Sequence, residues 1–216
     1  MNKIIQLIKK DVLLEWRMKY AIGGIVLYVA IVVFILFLSL QSASGLLWLA
    51  LFLLILLFAA VNALAKSFIN DVGNQKYYFA QLAKPWEILL AKIIYNFILL
   101  TVMSFLALGI YILVFQFPVN DLPTFFIGFL LTILSFSTIF TVMSAIAAQS
   151  KGSAILMPIL SIPVIIPQLL MLIKIMSASV SSTGNINFVS DFLMIIAINA
   201  GLIALSFILF GWVWKD

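Results

Sequence analysis

Long apolar runs with almost no charge dominate this sequence and limit what it can fold into. Six of them are long enough to cross the ~30 Å hydrocarbon core of a bilayer as helices, at about 20–40, 46–65, 93–115, 125–148, 154–176 and 188–212. Charged residues make up only 9% of the chain, whereas soluble domains carry about 25%. The sequence therefore predicts an all-α polytopic membrane protein with six transmembrane helices.

The first apolar run follows a basic start, which is also the pattern of a cleaved signal peptide. Ser42-Ala43-Ser44 would serve as a cleavage site. However, the run 20–40 is longer than the usual apolar region of ~7–15 residues, and a second span follows almost at once. We therefore expect the first span to be retained.

Lysine and arginine are confined to alternate gaps between the spans. The chain has 12 of them, and all but Lys174 lie before span one, between spans two and three, between spans four and five, or after span six. These segments share one side of the membrane, and an excess of positive charge marks the cytoplasmic side. Both termini are therefore predicted to be cytoplasmic, and the formal charge of +5 does not indicate nucleic acid. Lys174 would extend to the outer headgroups, and Trp48 fits an interfacial aromatic belt.

The first 19 residues predict a helix that lies in the headgroup plane. Apolar residues recur there near helical spacing, with Lys9, Lys10, Asp11 and Arg17 between them. An apolar face flanked by cations is typical of interfacial helices on anionic lipid. We interpret 1–19 as such a helix, followed by a single six-helix domain over 20–216. A partner-binding role for the helix is the alternative.

Residues 66–92 form the longest polar stretch between two spans and predict a coupling segment on the cytoplasmic side. A capped short helix with exposed apolar residues is expected first. The residues concerned are Asn70 or Asp71 as the cap, and Tyr77, Tyr78 and Leu82 on adjacent faces. Pro85 and Glu87 suit the first turn of the helix that continues into span three. Exposed aromatic residues indicate a docking surface, although an ordinary hairpin at headgroup depth would carry the same residues.

Span five contains three prolines, Pro158, Pro163 and Pro167. Each proline removes a backbone amide and crowds the carbonyl four residues earlier, so a bent or broken helix is expected. Carbonyls released in this way persist in a membrane only where protein or a water-filled cavity covers them. The prolines therefore indicate either a hinge or cavity-lining element, or a fixed kink needed for packing.

The residue types that are missing exclude several classes of function. The chain has no cysteine and no histidine, and no motif for an intramembrane protease, a zinc enzyme or a phosphate-binding loop occurs. No Asp, Glu, Lys, Arg or His occupies the middle of any span, although transporters driven by gradients usually need such groups. We therefore expect a non-catalytic subunit that draws its energy from a partner chain at the segment Tyr77–Glu87.

Three features together resemble one known family. The first is the start Leu-Ile-Lys-Lys-Asp-x-x-Leu-Glu-x-Arg from Leu7 to Arg17, and the second is Pro85-x6-Lys92 before span three. The third is the run from Leu156 to Pro167, Leu-Met-Pro-Ile-Leu-Ser-Ile-Pro-Val-Ile-Ile-Pro. With six spans, these resemble CcmB, the haem exporter protein B family, which is the permease subunit of the bacterial cytochrome c maturation ABC complex. The resemblance covers essentially the whole chain.

This resemblance implies a fold and a set of partners. The fold would be that of an ABC-2 (type V exporter) permease in the bacterial inner membrane, with a coupling helix within 74–84 that docks on an ATPase subunit. The partners would be a CcmA-like ATPase that binds ATP, CcmC-like and CcmD-like membrane subunits, and a CcmE-like haem chaperone that the assembly releases. Many such exporters carry an acidic residue before the coupling helix, and here only Asp71 could correspond to it.

The cargo is left open by the residues themselves. Haem export or release of the haem-loaded chaperone is the reading that the resemblance implies, and an ABC-2 permease for another lipophilic, lipid-linked or polysaccharide cargo is the alternative. Without histidine or cysteine, this chain could hold a haem iron only through methionine or tyrosine. Its methionines are scattered over different helices and suit packing. We therefore expect no cofactor on this chain, with haem held by other subunits.

Overall fold

The secondary structure described in the computed structural model is α-helical, and short non-helical stretches such as 115–121 connect the helices. The residues described are 2–17, 19–40, 43, 45–65, 67–68, 84–148, 153–180 and 188–213. Within them lie seven helices and no strand, namely α1 (Asn2–Arg17), α2 (Lys19–Leu40), α3 (Gly45–Leu64), α4 (Pro85–Val114), α5 (Leu122–Ala147), α6 (Ser153–Val180) and α7 (Phe188–Val213). The helices α2 to α7 are each long and apolar enough to cross a membrane. The predicted class, an all-α polytopic membrane protein with six spans, is confirmed.

The helix α5 lies at the centre of the bundle, and α2 and α7 lie at its edge. In the apolar stretch of α5, 78% of the residues are buried inside the structure, against 17% in those of α2 and α7. This difference arises because α5 packs against α3, α4, α6 and α7. The N-terminal helix α1 lies against α4 and α2. The outward residues of the spans remain apolar because lipid, not water, is their expected surrounding.

The most extensive packing in the bundle is between α5 and α6, and a glycine allows it. A Cβ atom on Gly128 would collide with the Cγ atom of Met176. Next to this contact, the Thr132 hydroxyl donates to the Met176 sulfur over 3.7 Å. Small residues let helix backbones approach closely in membranes, and Gly128 serves this role at the α5–α6 contact.

The bundle has two chemically different ends. One end carries α1 and the stretch between α3 and α4, and we call it the basic end. The opposite end carries the α2–α3, α4–α5 and α6–α7 connections. There, the backbone amides of Asn120 and Asp121 donate to the Ser179 carbonyl over 2.9 and 3.1 Å, and the Asn120 side-chain amide donates to the Val180 carbonyl. These bonds explain why α6 continues four residues beyond its predicted end at 176.

Aromatic residues pack inside the opposite end of the bundle. Trp48, Phe52, Tyr111, Phe125 and Phe129 are fully buried. The Trp48 and Tyr111 ring centroids lie 4.9 Å apart, and the Tyr111 hydroxyl donates to the Trp48 carbonyl over 3.1 Å. The interpretation of Trp48 as an interfacial residue is therefore wrong, because the ring is enclosed by aromatic neighbours from α4 and α5.

Lys174 also has a protein partner at this end. Its ammonium lies 2.6 Å from a carboxylate oxygen of Asp191 at the start of α7. The lysine side chain is 54% exposed and that of Asp191 only 14%. The lysine therefore links α6 to α7. The sequence predicted only that Lys174 extends to the headgroups, and not this ion pair.

Candidate coupling site

The predicted coupling segment lies between α3 and α4 at the basic end. Asp71, Tyr77, Tyr78 and Leu82 fall outside the described residues, so their roles remain predictions. Within the predicted segment 66–92, residues 69–83 lie outside the described residues. The structure describes the stretches on either side of them, which we call the two flanks. The near flank is the short stretch after α3 that includes Ser67 and Phe68, and the far flank is Lys84 with the first turns of α4.

The far flank is a well-formed helix start. Pro85 occupies the first turn of α4, where its missing amide costs no helical hydrogen bond. The Lys84 backbone amide donates to a Glu87 carboxylate oxygen over 2.8 Å, and this carboxylate lies near the positive end of the helix dipole. The predicted roles of Pro85 and Glu87 in starting this helix are thus seen directly. Their role in coupling to an ATPase remains a prediction.

The near flank is joined to two spans by a buried amide. The side-chain nitrogen of Asn96, on α4, donates to the Ser67 hydroxyl over 2.8 Å and to the Thr141 hydroxyl of α5 over 2.9 Å. Asn96 is fully buried. Because a buried amide without partners is costly, these bonds favour one position of Ser67 relative to α4 and α5.

Phe68 anchors the near flank in a small apolar cluster. Its backbone amide donates to the Ser144 hydroxyl of α5 over 3.4 Å, and its ring is fully buried. The ring belongs to a cluster whose other buried members are Ile88, Leu89, Ala145 and Ala148, with Leu7, Ile93 and Phe207 packed against it. The cluster therefore brings together α1, α4, α5, α7 and the near flank.

A buried ion pair joins α1 to α4 beside this cluster. The Lys92 ammonium lies 3.1 Å from a carboxylate oxygen of Asp11. The two side chains are only 8% and 7% exposed. The same ammonium lies 5.8 Å from the centre of the Phe68 ring, within the range of a cation–π interaction. Lys10 also contacts the Asp11 carboxylate, at 3.2 Å.

Sequence reasoning missed this ion pair, although a signal for it exists. Asp11 lies three and four residues after Ile8 and Leu7, both partly buried, and such spacing places it on their face of the helix. A carboxylate among apolar residues on an amphipathic helix needs a buried cation. The sequence places Lys92 among the cytoplasmic charges and in the motif Pro85-x6-Lys92, but it does not reveal which helix α1 contacts.

The three prolines of span five lie inside α6, which is described as one continuous helix over Ser153–Val180. Of the two forms expected, a broken helix is excluded by this continuity, and a bent helix stays a prediction. Pro163 is exposed, whereas Pro158 and Pro167 are half-buried. The neighbouring Ser161 hydroxyl donates to the Met157 carbonyl over 2.7 Å, so a side chain of this helix adds a bond to its backbone. A hinge, a cavity-lining role and a fixed kink all remain predictions for these prolines.

No grouping of acidic residues suited to a metal ion occurs in the described part of the chain. Histidine and cysteine are absent from the whole sequence. The described contacts at the basic end, among them Asn96–Ser67, Asn96–Thr141 and Asp11–Lys92, join α1, α4, α5 and the near flank.

Comparison with known proteins supplies the family. A family model described as CcmB protein matches residues 2–211. No curated protein matches the chain. The match begins in α1 and ends in the last turn of α7, so it includes both flanks of the coupling segment and all six spans.

Proposed function

The chain belongs to the CcmB family and is a membrane permease component of an ABC transporter for haem export and cytochrome c maturation; within it, we propose that the chain is a mechanical transducer. A partner subunit binds and hydrolyses ATP and pushes on segment 69–83. The bundle carries that movement across the membrane, where the haem-loaded chaperone is released. The chain itself catalyses no reaction.

The anchoring of segment 69–83 is the observation that carries this proposal. On the near flank, Phe68 is buried among residues of four helices, and Ser67 is bonded to Asn96. On the far flank, Lys84 leads directly into α4. A force that reaches either flank would thus pass to α4 and α5 through these contacts. Two anchored flanks between successive spans suit the docking of an ATPase.

The distribution of charge supports an external energy source. In the described spans, the Asp, Glu and Lys residues lie towards the helix ends, as with Glu87, Lys92, Lys174 and Asp191. Proton relays and ion sites need such groups near the middle of the membrane. The lysine-rich segments of the basic end favour a cytoplasmic position for both termini, in the bacterial inner membrane where this family acts. ATP on the cytoplasmic side would then be available to the partner subunit.

The partners follow from family membership together with this geometry. The proposed ATPase is CcmA-like, the neighbouring membrane subunits are CcmC-like and CcmD-like, and the chaperone is CcmE-like. Haem iron is proposed to be ligated by another subunit, since this chain has neither histidine nor cysteine and these are the usual strong axial ligands. The chain then needs no cofactor of its own.

Replacement of the predicted docking residues tests the proposal. We expect Tyr77→Ala, Tyr78→Ala and Leu82→Ala, combined in one variant, to abolish co-purification of the ATPase subunit in mild detergent, because the docking surface is lost. The matched control is Leu122→Ala with Phe126→Ala, which removes two exposed apolar residues at the opposite end. Wild-type ATPase binding and turnover in the triple variant would remove this surface from the mechanism.

The proposal about haem has its own measurement. The purified chain alone, titrated with haem, is expected to give no stoichiometric low-spin spectrum of a ligated iron. A spectrum of that kind, lost on replacement of a methionine or tyrosine, would place the iron on this chain instead.

A further inference from the structure

We propose that Asp11 and Lys92 are positioning residues that make α1 and the two flanks of segment 69–83 move as one body. This inference rests on the proposed function, because it concerns how a push on that segment is transmitted. It assigns a role to α1 that lipid contact alone does not explain.

Lys92 is the residue at which three parts of the basic end meet. It belongs to α4, the helix that begins at the far flank. Its ammonium binds the Asp11 carboxylate of α1 and lies over the ring of Phe68 on the near flank. Lys92 is eight positions after Lys84. At about 3.6 residues per turn, it therefore lies about two helical turns from the start of α4. A displacement of either flank therefore acts on the ion pair.

Burial makes the ion pair a determinant of position. Both side chains are less than one-tenth exposed, so neither charge can turn to water when the other moves away. A buried pair adds little net stability compared with apolar residues of similar size, and separation of its charges is strongly unfavourable. The ion pair therefore affects the free energy of the bundle mainly through the relative position of α1 and α4. A buried pair of this kind favours one alignment of the two helices.

The burial of its side chains indicates that α1 lies between the bundle and the membrane surface. Ile4, Leu7 and Ile8 are partly buried on the side of Asp11, whereas Ile5 and Val12 are exposed on the adjacent flank. Lys9 lies exposed beyond that flank. One face therefore docks on the bundle and the next faces the membrane surface. If the segment is pushed, α1 follows through Asp11 and not through its lipid contacts.

The test separates positioning from simple stabilisation within the intact complex. Asp11→Leu with Lys92→Met keeps the site apolar and avoids an unpaired charge, so the complex is expected to assemble. The quantity measured is the amount of matured cytochrome c per ATP hydrolysed. We expect this ratio to fall severalfold in the apolar double variant, and to return towards the wild-type value in the charge-swapped variant Asp11→Lys with Lys92→Asp.

The matched control is Lys9→Gln, which removes a charge from the exposed face of the same helix and is expected to leave the ratio unchanged. A wild-type ratio in the apolar double variant would overturn the proposal and leave the ion pair a structural contact only. If the charge-swapped variant does not restore a lowered ratio, the proposal is also overturned. The loss would then come from the changed side-chain shapes and not from the missing ion pair. If the wild-type complex contains no ATPase subunit, the proposed function fails instead, and the two failures are distinguishable.

Discussion

At the residue scale, most polar side chains inside the bundle are hydrogen-bonded within the protein. The Thr132 hydroxyl donates to the Gly128 carbonyl of its own helix. Asn199 on α7 donates across helices to the Ser135 hydroxyl of α5 over 3.1 Å. Gln168 on α6 differs, because it is fully buried and neither amide atom has a hydrogen-bond partner among the described residues. A buried amide without partners costs free energy, so Gln168 is a source of instability in this arrangement of the bundle.

Replacement of this amide is expected to stabilise the protein. Gln168→Met keeps a side chain of similar shape and should raise the free energy of unfolding by about 1–3 kcal/mol, the cost of an unsatisfied buried polar group. Thermal unfolding in detergent measures it. The control Leu172→Met changes a fully buried neighbour on the same helix without removing an amide, and volume-conserving swaps change stability by less than about 1.5 kcal/mol. Destabilisation by Gln168→Met beyond that of the control would contradict the prediction.

The role of a single residue could be predicted from the sequence where its chemistry favours one kind of position. Pro85 and Glu87 belong to this group, since proline is favoured in the first turn of a helix and an acidic residue is stabilised near its positive end. Trp48 does not, because an indole near a span end suits both a membrane interface and a protein interior. Asp11 and Lys92 could be placed on their own helices, but their pairing depends on a contact between helices far apart in the sequence.

At the element scale, the bounds of the spans were predictable within four residues, because each apolar run has polar neighbours; the exception is span three, whose helix begins at Pro85, eight residues before the predicted span start at 93. The packing partners of each span were not predictable. Helices that are apolar all round carry no stripe that points to the bundle core, so the central place of α5 could not be read from its composition. The helix α6 is continuous through Pro158, Pro163 and Pro167. It packs extensively against α5, and the number of prolines in its sequence gives no information on that packing.

The α5–α6 contact gives a test at this scale. Gly128→Ala is expected to lower the free energy of unfolding by about 1–3 kcal/mol, because the added methyl group meets Met176 and overpacking has costs of this size. Gly109→Ala is the matched control, since an added Cβ there meets nothing within 4 Å. Chemical unfolding in detergent micelles compares the two variants. Equal stability of both would show that α5 and α6 are not closely packed at Gly128.

At the scale of the whole molecule, the two ends of the bundle are built for different tasks. The opposite end is closed by fully buried aromatic residues around Trp48 and Tyr111 and by the caps that Asn120 adds to α6. The basic end instead gathers α1 and the flanks of 69–83 around a few directional contacts, among them Asp11–Lys92. Directional contacts suit an end that is pushed, and dense aromatic packing suits an end that keeps its arrangement.

The class and the six spans could be predicted from the sequence and are confirmed by the structure, whereas the orientation, inferred from where lysine and arginine lie, stays a prediction. The candidate site was accessible in part. Its position between spans two and three and its helix start at Pro85 follow from local patterns, whereas its attachment through Phe68 and Asn96 depends on tertiary contacts to α5.

The central claim is that an ATPase subunit engages segment 69–83 at the basic end. Photo-crosslinking tests it most directly, with p-benzoylphenylalanine in place of Tyr78 and, as the control, in place of Asn185 at the opposite end. We predict a light-dependent adduct with the ATPase subunit from position 78 and none from position 185. An adduct with that subunit from position 185, or its absence from position 78 in an assembled complex, would contradict the account.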